Sequence, residues 1–473
     1  MPPVTQNETQ SQRCLEVVNA LESGDSFQNY TTIIHSLPPF MILPATEPAR
    51  TEAMSFFEYI SINDLNQHHP SEIWRQTLMF YSQTVPAVRH AAVGLALVHR
   101  NYLDRGSDGG VHLPQFSVEA PLFHYNRAIQ LLLGQEIGDA TERTAITLLV
   151  CYLFVCFDHL AGNYVQATKH LRGGVELVRN IDSGRVAAGA GTLLDQVTRQ
   201  IRRLDMQAVT FLVDWTPAGI QETLKLAMSN GAFKSLDEAA DRLQILVSQV
   251  MRLRHAIEQK LSPPPTSFHA NNLLGQLSTW LHLFENLLLQ SCSASHLTFA
   301  TNHNQRTCLL RLQHTITWIL LSASTITRRE MAYDAFLPQF RQCVALATEF
   351  AAAHERHSEQ ATFTPEVGII PVLYIVGVKC RDPTVRRQVL GILRQQTVRE
   401  AVWDSQVTAR VVERVIQIEE MGVACKGMKL IPAMQRVEDM SWMQSSSRDG
   451  VSRVNVSYRF CGREEVYIEA HLV

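Results

Sequence analysis

The spacing of apolar residues constrains the fold of this chain most strongly, because they recur at intervals of three and four from about residue 70 to 422. This is the period of an α-helix with one buried face. Two stretches show it most clearly: Ile201, Leu204, Ala208, Phe211, Leu212 and Trp215, then Leu236, Ala239, Ala240, Leu243, Leu246, Val247, Val250 and Ile257. The pattern predicts an all-α fold, a multi-helix array of amphipathic helices around a long core.

Local signals indicate where some helices begin and end. Ser235 and Glu238 have the spacing of a capping box, and Asp382 before Pro383 is typical of an N-cap followed by a first-turn proline. The prolines in segment 262–265 stop a helix and predict a hinge there.

The rest of the chain adds further helices and one change of period. Helices are predicted at about 270–290, 306–325 and 335–353, then around Val385, Val389, Ile392 and Leu393, and finally around Val407, Val411, Val415 and Ile418. After residue 450 the apolar period becomes two, at Val454, Val456, Tyr458 and Phe460, then Val466 and Ile468 beyond Gly462. This predicts a small C-terminal β-hairpin at the edge of the fold. We expect a partly flexible N-terminal segment (1–54), a helical domain (55–440) and a tail with the hairpin (441–473).

Composition narrows the class of protein. Hydrophobic residues make up 46% of the chain and charged residues 18%, which is typical of a globular protein. The 42 basic and 45 acidic residues give a net charge of −3, which argues against direct nucleic-acid binding. The apolar run from Ala145 to Phe157 is shorter than the roughly 20 residues of a membrane helix, so it predicts a buried helix and no membrane association.

Few residue groups have the spacing of a chemical site. His354 and His357 lie three apart around Glu355 without a third ligand nearby, and His68-His69 lies in a predicted loop, so neither indicates a metal site. Scattered cysteines, including Cys151 and Cys156 in the apolar run, are interpreted as packing residues. The nucleophile elbow, the phosphate loop and the dinucleotide-binding turn are absent.

Two charged groups have a functional interpretation and a structural one. Asp158-His159 resembles a general acid/base pair, but a pair with satisfied hydrogen bonds at a helix end is the favoured interpretation. The basic residues Arg381, Arg386, Arg387, Arg394 and Arg399 are interpreted as a solvated helix face rather than a DNA contact. The sequence therefore predicts no catalytic, metal-binding or DNA-binding residue and no cofactor, and the lining of any ligand site stays unknown.

Several motifs resemble the fungal-specific transcription-factor regulatory domain, which usually follows a binuclear zinc cluster. They are Ser71-Glu72-Ile73-Trp74, Pro86-Ala87-Val88-Arg89-His90-Ala91, Phe123-His124-Tyr125-Asn126-Arg127-Ala128, Lys379-Cys380-Arg381-Asp382-Pro383 and Arg399-Glu400-Ala401-Val402-Trp403-Asp404-Ser405. The resemblance covers roughly residues 55–470, although between 215 and 360 it depends on the helical pattern.

The zinc cluster of that family places six cysteines within about forty residues. The first fifty residues here contain only Cys14, so the chain is expected to lack this DNA-binding head. Three interpretations stay open: a natural regulator without a zinc cluster, a gene model that has lost an upstream exon, or a domain recruited to another task.

The resemblance implies a transcriptional regulator that controls a biosynthetic, secondary-metabolite gene cluster through protein partners. The partner is either a second copy of the chain or a zinc-cluster transcription factor. A nuclear location is expected, with the cytoplasm as the alternative because no basic import cluster stands out. The alternative function is a helical scaffold or ligand-binding module with no role in transcription. An enzyme is disfavoured by the missing motifs.

Overall fold

The computed structural model confirms a predominantly helical protein with a few short strands. It describes residues 47–107, 119–134, 139–183, 192–212, 215–217, 231–258, 267–294, 300–324, 329–355, 361–421, 431–446 and 452–472. Residues 51–473 form one compact unit.

Helices follow one another through most of the chain. The first eight are α1 (Glu47–Phe56), α2 (Ile62–Leu65), α3 (Glu72–Thr84), α4 (Pro86–Ser107), α5 (Glu119–Gly134), α6 (Ala140–Ala161), α7 (Tyr164–Ser183) and α8 (Leu193–Ala208), with a π-helical turn at Phe57–Ser61. The next eight are α9 (Leu236–Glu258), α10 (Ser267–Ala294), α11 (Ala300–Ser324), α12 (Arg329–Ala332), α13 (Leu337–Glu355), α14 (Ile370–Lys379), α15 (Pro383–Gln395) and α16 (Ser405–Glu420).

Helix α6 contains the long apolar run and is a buried helix, as predicted. Asp139 caps its first turn by accepting from the Glu142 N–H at 2.7 Å, and Gly162 ends it with a left-handed φ of 76°. Within the described ranges it is the single helix long and apolar enough to cross a membrane by composition. Since 78% of its apolar window is buried inside the protein, it serves as a core helix.

Helix α8 ends earlier than its apolar stripe predicts. The stripe continues to Trp215, but the helix stops at Ala208 and residues 209–211 form a turn. Trp215 then folds back, and its indole N–H donates to Asp205 at 2.7 Å. Trp215 fits the apolar period because it is buried against the same core as the helix, although it is not itself helical.

Both predicted helix starts are confirmed. The Ser235 hydroxyl accepts from the Glu238 N–H at 3.2 Å, while the Glu238 carboxylate accepts from the N–H of Lys234 rather than of Ser235. Asp382 accepts from the N–H groups of Thr384 and Val385, both at 3.0 Å, with Pro383 in the first turn. The predicted hinge at 262–265 lies outside the described residues.

Two small sheets join the helices. In the first, β1 (Thr362–Thr364) runs parallel to β2 (Val398–Glu400), which pairs antiparallel with β3 (Trp403–Asp404). In the second, β4 (Val437–Ser446), β5 (Ser452–Phe460) and β6 (Val466–Leu472) are antiparallel, with β5 in the middle. The predicted hairpin is β5–β6, turning at Gly462. The sequence did not predict β4. The boundary expected at residue 441, between the helical domain and the tail, falls within this strand.

Three clusters of buried apolar residues form the interior. We call them the N-terminal core (mainly α1–α8), the middle core (α9–α11) and the C-terminal core (α11–α16 with β4 and β5). Met251 on α9 packs against all three. In the C-terminal core α14 and α16 approach closely at Gly377, where a Cβ atom would lie 2.5 Å from Val412.

Candidate functional site

A cavity of about 310 Å³ lies where α9, α11, α14 and β4 meet. Its volume is at the lower end of the range for small-molecule sites, roughly 300–1,000 Å³. The residues that line it are Thr210, Gln244, Val247, Met251, Arg254, His255, Gln313, Ile316, Thr317, Leu320, Val367, Gly368, Pro371, Val372, Tyr374, Ile375, Val378, Lys379, Trp403, Val415, Val437, Glu438, Asp439 and Met440. The cavity is therefore mostly apolar with a minority of polar groups.

One wall of the cavity is formed by Tyr374 and Trp403, whose rings lie 5.6 Å apart. Trp442 is not a lining residue, but its ring lies 5.0 Å from that of Tyr374 and 5.5 Å from that of Trp403. Helix α14, β3 and β4 each supply one ring. This grouping of three rings could not be predicted from the sequence, because the three residues lie on three separate elements.

Two hydrogen-bond donors of this wall have no acceptor among the described residues. The Tyr374 hydroxyl makes no hydrogen bond to them, and the buried indole N–H of Trp403 has no partner there. Burial raises the pKa of Tyr374, and the charges of Asp439 and Glu330 raise it further, so the hydroxyl keeps its proton. A buried donor usually has a partner, which makes the Trp403 indole N–H unusual, whereas Tyr374 is half-buried.

The charged side chains of the lining are of both signs. Arg254 and Lys379 oppose Glu438 and Asp439, so the formal charges cancel. The Lys379 ammonium lies 2.6 Å from a Glu330 carboxylate oxygen and donates to the Glu438 carbonyl at 2.9 Å. Asp439 forms an ion pair with Arg459.

The start of α14, which carries much of the lining, is held by a buried carboxylate. Glu400 on β2 accepts from the N–H groups of Gly368, Ile369 and Ile370 at 3.0, 2.9 and 2.9 Å. Burial raises the pKa of Glu400 to about 7, against the lowering effect of these three donors. A Cβ atom at Gly368 would collide with this carboxylate and with His68, so the close approach requires glycine.

The interpretation of the arginines as a solvated face is wrong for three of the five. Arg381 and Arg386 are buried and both pair with Glu419, Arg381 at 2.9 Å. Arg381 also pairs with Glu330 at 2.7 Å. Although burial raises the pKa of Glu419, the two arginines lower it overall, so the group is a buried ionic network.

The remaining three arginines differ from one another. Arg399 is buried and donates to the carbonyls of His159 and Leu160, both at 3.2 Å, so it joins β2 to the end of α6. Arg387 and Arg394 are about half exposed and pair with Glu420 and Glu413 on α16, as a solvated face would. None of the buried arginines is placed to meet a phosphate backbone.

Asp158 and His159 make different contacts. Asp158 accepts from the Tyr125 hydroxyl at 3.4 Å and lies 3.7 Å from His170, and burial raises its pKa to about 7. Burial and the charge of Arg399 lower the pKa of His159 to about 3. The expected satisfied pair is correct for Asp158 and wrong for His159, whose Nδ1 has no partner among the described residues.

The other residues considered from the sequence lie apart from the cavity's aromatic wall. His69 lies 3.2 Å from Glu366 and contacts Arg306, and Cys156 is fully buried in α6. Burial raises the pKa of the Cys151 thiol to about 11. The described ranges hold no group of three or more His, Cys, Asp or Glu side chains that is arranged to bind a metal ion. The side chain of His354 is not described, and His357 lies outside the described ranges.

Comparison with known proteins identifies a distant relative. No protein-family model matches the chain, and no solved structure matches it. The chain is 22% identical over 425 residues to the aspercryptin biosynthesis cluster-specific transcription regulator of Emericella nidulans, covering 71% of this chain and 68% of that protein. This similarity supports a family of transcription factors and suggests that the chain is not an enzyme.

Proposed function

We propose that the chain regulates transcription of a biosynthetic gene cluster and does so through protein partners. The observation that carries the proposal is the similarity to a cluster-specific transcription regulator, which extends over 71% of the chain. The motifs that resemble the fungal regulatory domain also support it. The motifs around Arg381 and Glu400 contribute buried contacts near the cavity, and these contacts would stabilise a fold that such regulators share.

Action through partners is supported by the charge of the chain. Its net charge is −3, and the five arginines considered above as a possible DNA contact are buried or paired with acidic residues. A surface of this kind offers little attraction for phosphates. We therefore extend the proposal to a partner, a second copy or a zinc-cluster transcription factor, that contacts DNA in the nucleus.

The test is deletion of the gene followed by transcript profiling. We expect coordinated loss of a co-located set of biosynthetic transcripts and their return when the wild-type gene is restored. A tagged chain should co-purify from nuclei with a zinc-cluster protein or with an untagged second copy. Unchanged transcripts in the deletion strain would contradict the proposal.

A ligand-binding module without a role in transcription is the second candidate, and the 310 Å³ cavity favours it. Transcript profiling of the deletion strain distinguishes the two candidates. If the chain is a ligand-binding module only, deletion of its gene leaves transcripts unchanged. If it is a regulator, deletion changes transcripts whether or not the protein also binds a ligand.

A further inference from the structure

We propose that the cavity between α9, α11, α14 and β4 binds an uncharged, largely apolar small molecule that carries a hydrogen-bond acceptor for Tyr374. The proposal does not depend on the regulatory role, because binding is measured on the isolated protein.

The walls determine the apolar character of the ligand. Ile316 and Leu320 of α11, Val372 and Ile375 of α14, and Met440 of β4 all line the cavity with apolar side chains. Burial of apolar surface from water contributes roughly 25 cal/mol per Å², so a molecule filling about 310 Å³ here gains mainly from these walls. The rings of Tyr374 and Trp403 favour a ligand with a planar, aromatic part.

The charge of the lining excludes a strongly charged ligand. Arg254 and Lys379 are balanced by Glu438 and Asp439, and the strongest pairings of Lys379 and Asp439 are with protein groups. An ionised ligand would lose its hydration without gaining a net opposite charge. An uncharged molecule avoids this cost.

The need for an acceptor follows from the Tyr374 hydroxyl. This group lines the cavity, keeps its proton and makes no hydrogen bond to any described residue. A ligand carbonyl or ether oxygen would satisfy it, and such a bond typically changes affinity by about three- to tenfold.

The position of the cavity gives binding a structural consequence. Met251 lines it and packs against the N-terminal, middle and C-terminal cores at once. A ligand there would contact Met251 and so favour the arrangement in which this residue packs against all three cores. Any molecule that binds only the folded state raises the unfolding temperature in proportion to the logarithm of its concentration.

The probe for the test is Nile red, which is uncharged, aromatic and carries a carbonyl acceptor. With the full chain we expect a single saturable site, seen as enhanced dye emission and as energy transfer from tryptophan. The anionic dye 1-anilinonaphthalene-8-sulfonate should bind at least about tenfold more weakly. Absence of saturable Nile red binding, or tighter binding of the anionic dye, would overturn the proposal.

Variants locate the binding. Ile375→Trp fills the cavity from a half-buried position and should abolish binding, with Met440→Trp as a second filling variant if the first does not fold. The matched control is Val165→Trp at an exposed position of α7, which should bind like the wild type. Tyr374→Phe should weaken binding about three- to tenfold. Wild-type affinity in a folded filling variant or in Tyr374→Phe would contradict the assigned site.

Discussion

Glycine at position 368 is required by what surrounds it rather than by its backbone angle. A side chain there would push against the Glu400 carboxylate that holds the start of α14. We expect Gly368→Ala to lower the free energy of unfolding by about 2–4 kcal/mol, because it breaks a buried set of hydrogen bonds. Urea denaturation measures this.

The control for that substitution is Gly275→Ala within α10, where a Cβ atom meets nothing within 4 Å. Alanine is the better helix former by about 1 kcal/mol, so the control should leave stability unchanged or raise it slightly. Equal effects of the two substitutions would show that the contact with Glu400 is not responsible.

Asp158 gives stability a pH dependence of known sign. Its pKa in the folded state is about 7 against 3.8 for an ordinary aspartate, so between these values the folded chain holds a proton that the unfolded chain releases. The free energy of unfolding therefore falls as pH rises from 3.8 to 7, by at most about 1.4 kcal/mol per pH unit from this group, and the stability present below 3.8 is lost by 7.

The substitution Asp158→Asn removes this titration. Relative to wild type, we expect the variant to gain stability between pH 4 and pH 8, measured as the difference in urea midpoint at each pH. His159 is present in both proteins, so its own titration largely cancels in the comparison. A difference that stays constant with pH would contradict the raised pKa.

At the scale of elements, Glu419 joins three segments of the C-terminal core. From α16 it pairs with Arg381 and Arg386 around the start of α15, and it accepts from the N–H of Val437 at the start of β4. Glu419→Gln would leave two buried arginines without their shared carboxylate. We expect a loss of about 3–5 kcal/mol of stability, measured by urea denaturation.

Another glutamate on the same helix provides the matched control. Glu413 pairs with the half-exposed Arg394, where water screens the charges. Glu413→Gln should cost less than about 1 kcal/mol. A loss at Glu419 as small as that at Glu413 would mean that the network contributes little to the fold.

These elements also show how far the sequence predicts the structure. Helix caps such as Ser235 with Glu238 and Asp382 with Val385 are predictable from the sequence because the partners lie three residues apart. The burial of Arg381 and Arg386 was not predictable, since their partner Glu419 lies 38 and 33 residues away. The cavity was not predictable for the same reason, because its lining residues are spread between Thr210 and Met440. Their apolar spacing is the same as that of residues that pack in a core without a cavity.

For the whole molecule, the C-terminal strands are part of the interior. Val454, Val456 and Tyr458 of β5 are 2%, 2% and 6% exposed and belong to the C-terminal core, while β4 lines the cavity. Strand β6 differs, because Val466 and Ile468 are 61% and 70% exposed on its outer side. The sheet therefore closes the helical array with β4 and β5 and adds β6 at its edge.

This difference predicts unequal effects of two truncations. A chain ending at residue 465 loses only β6 and should stay folded with a lower melting temperature, whereas a chain ending at 451 also loses the buried face of β5 and should lose its cooperative melting. Circular dichroism melts and limited proteolysis distinguish the two. If the chain ending at 451 melted like the wild type, β5 and β6 would be a separable tail, and β4 would line the cavity without its partner strand.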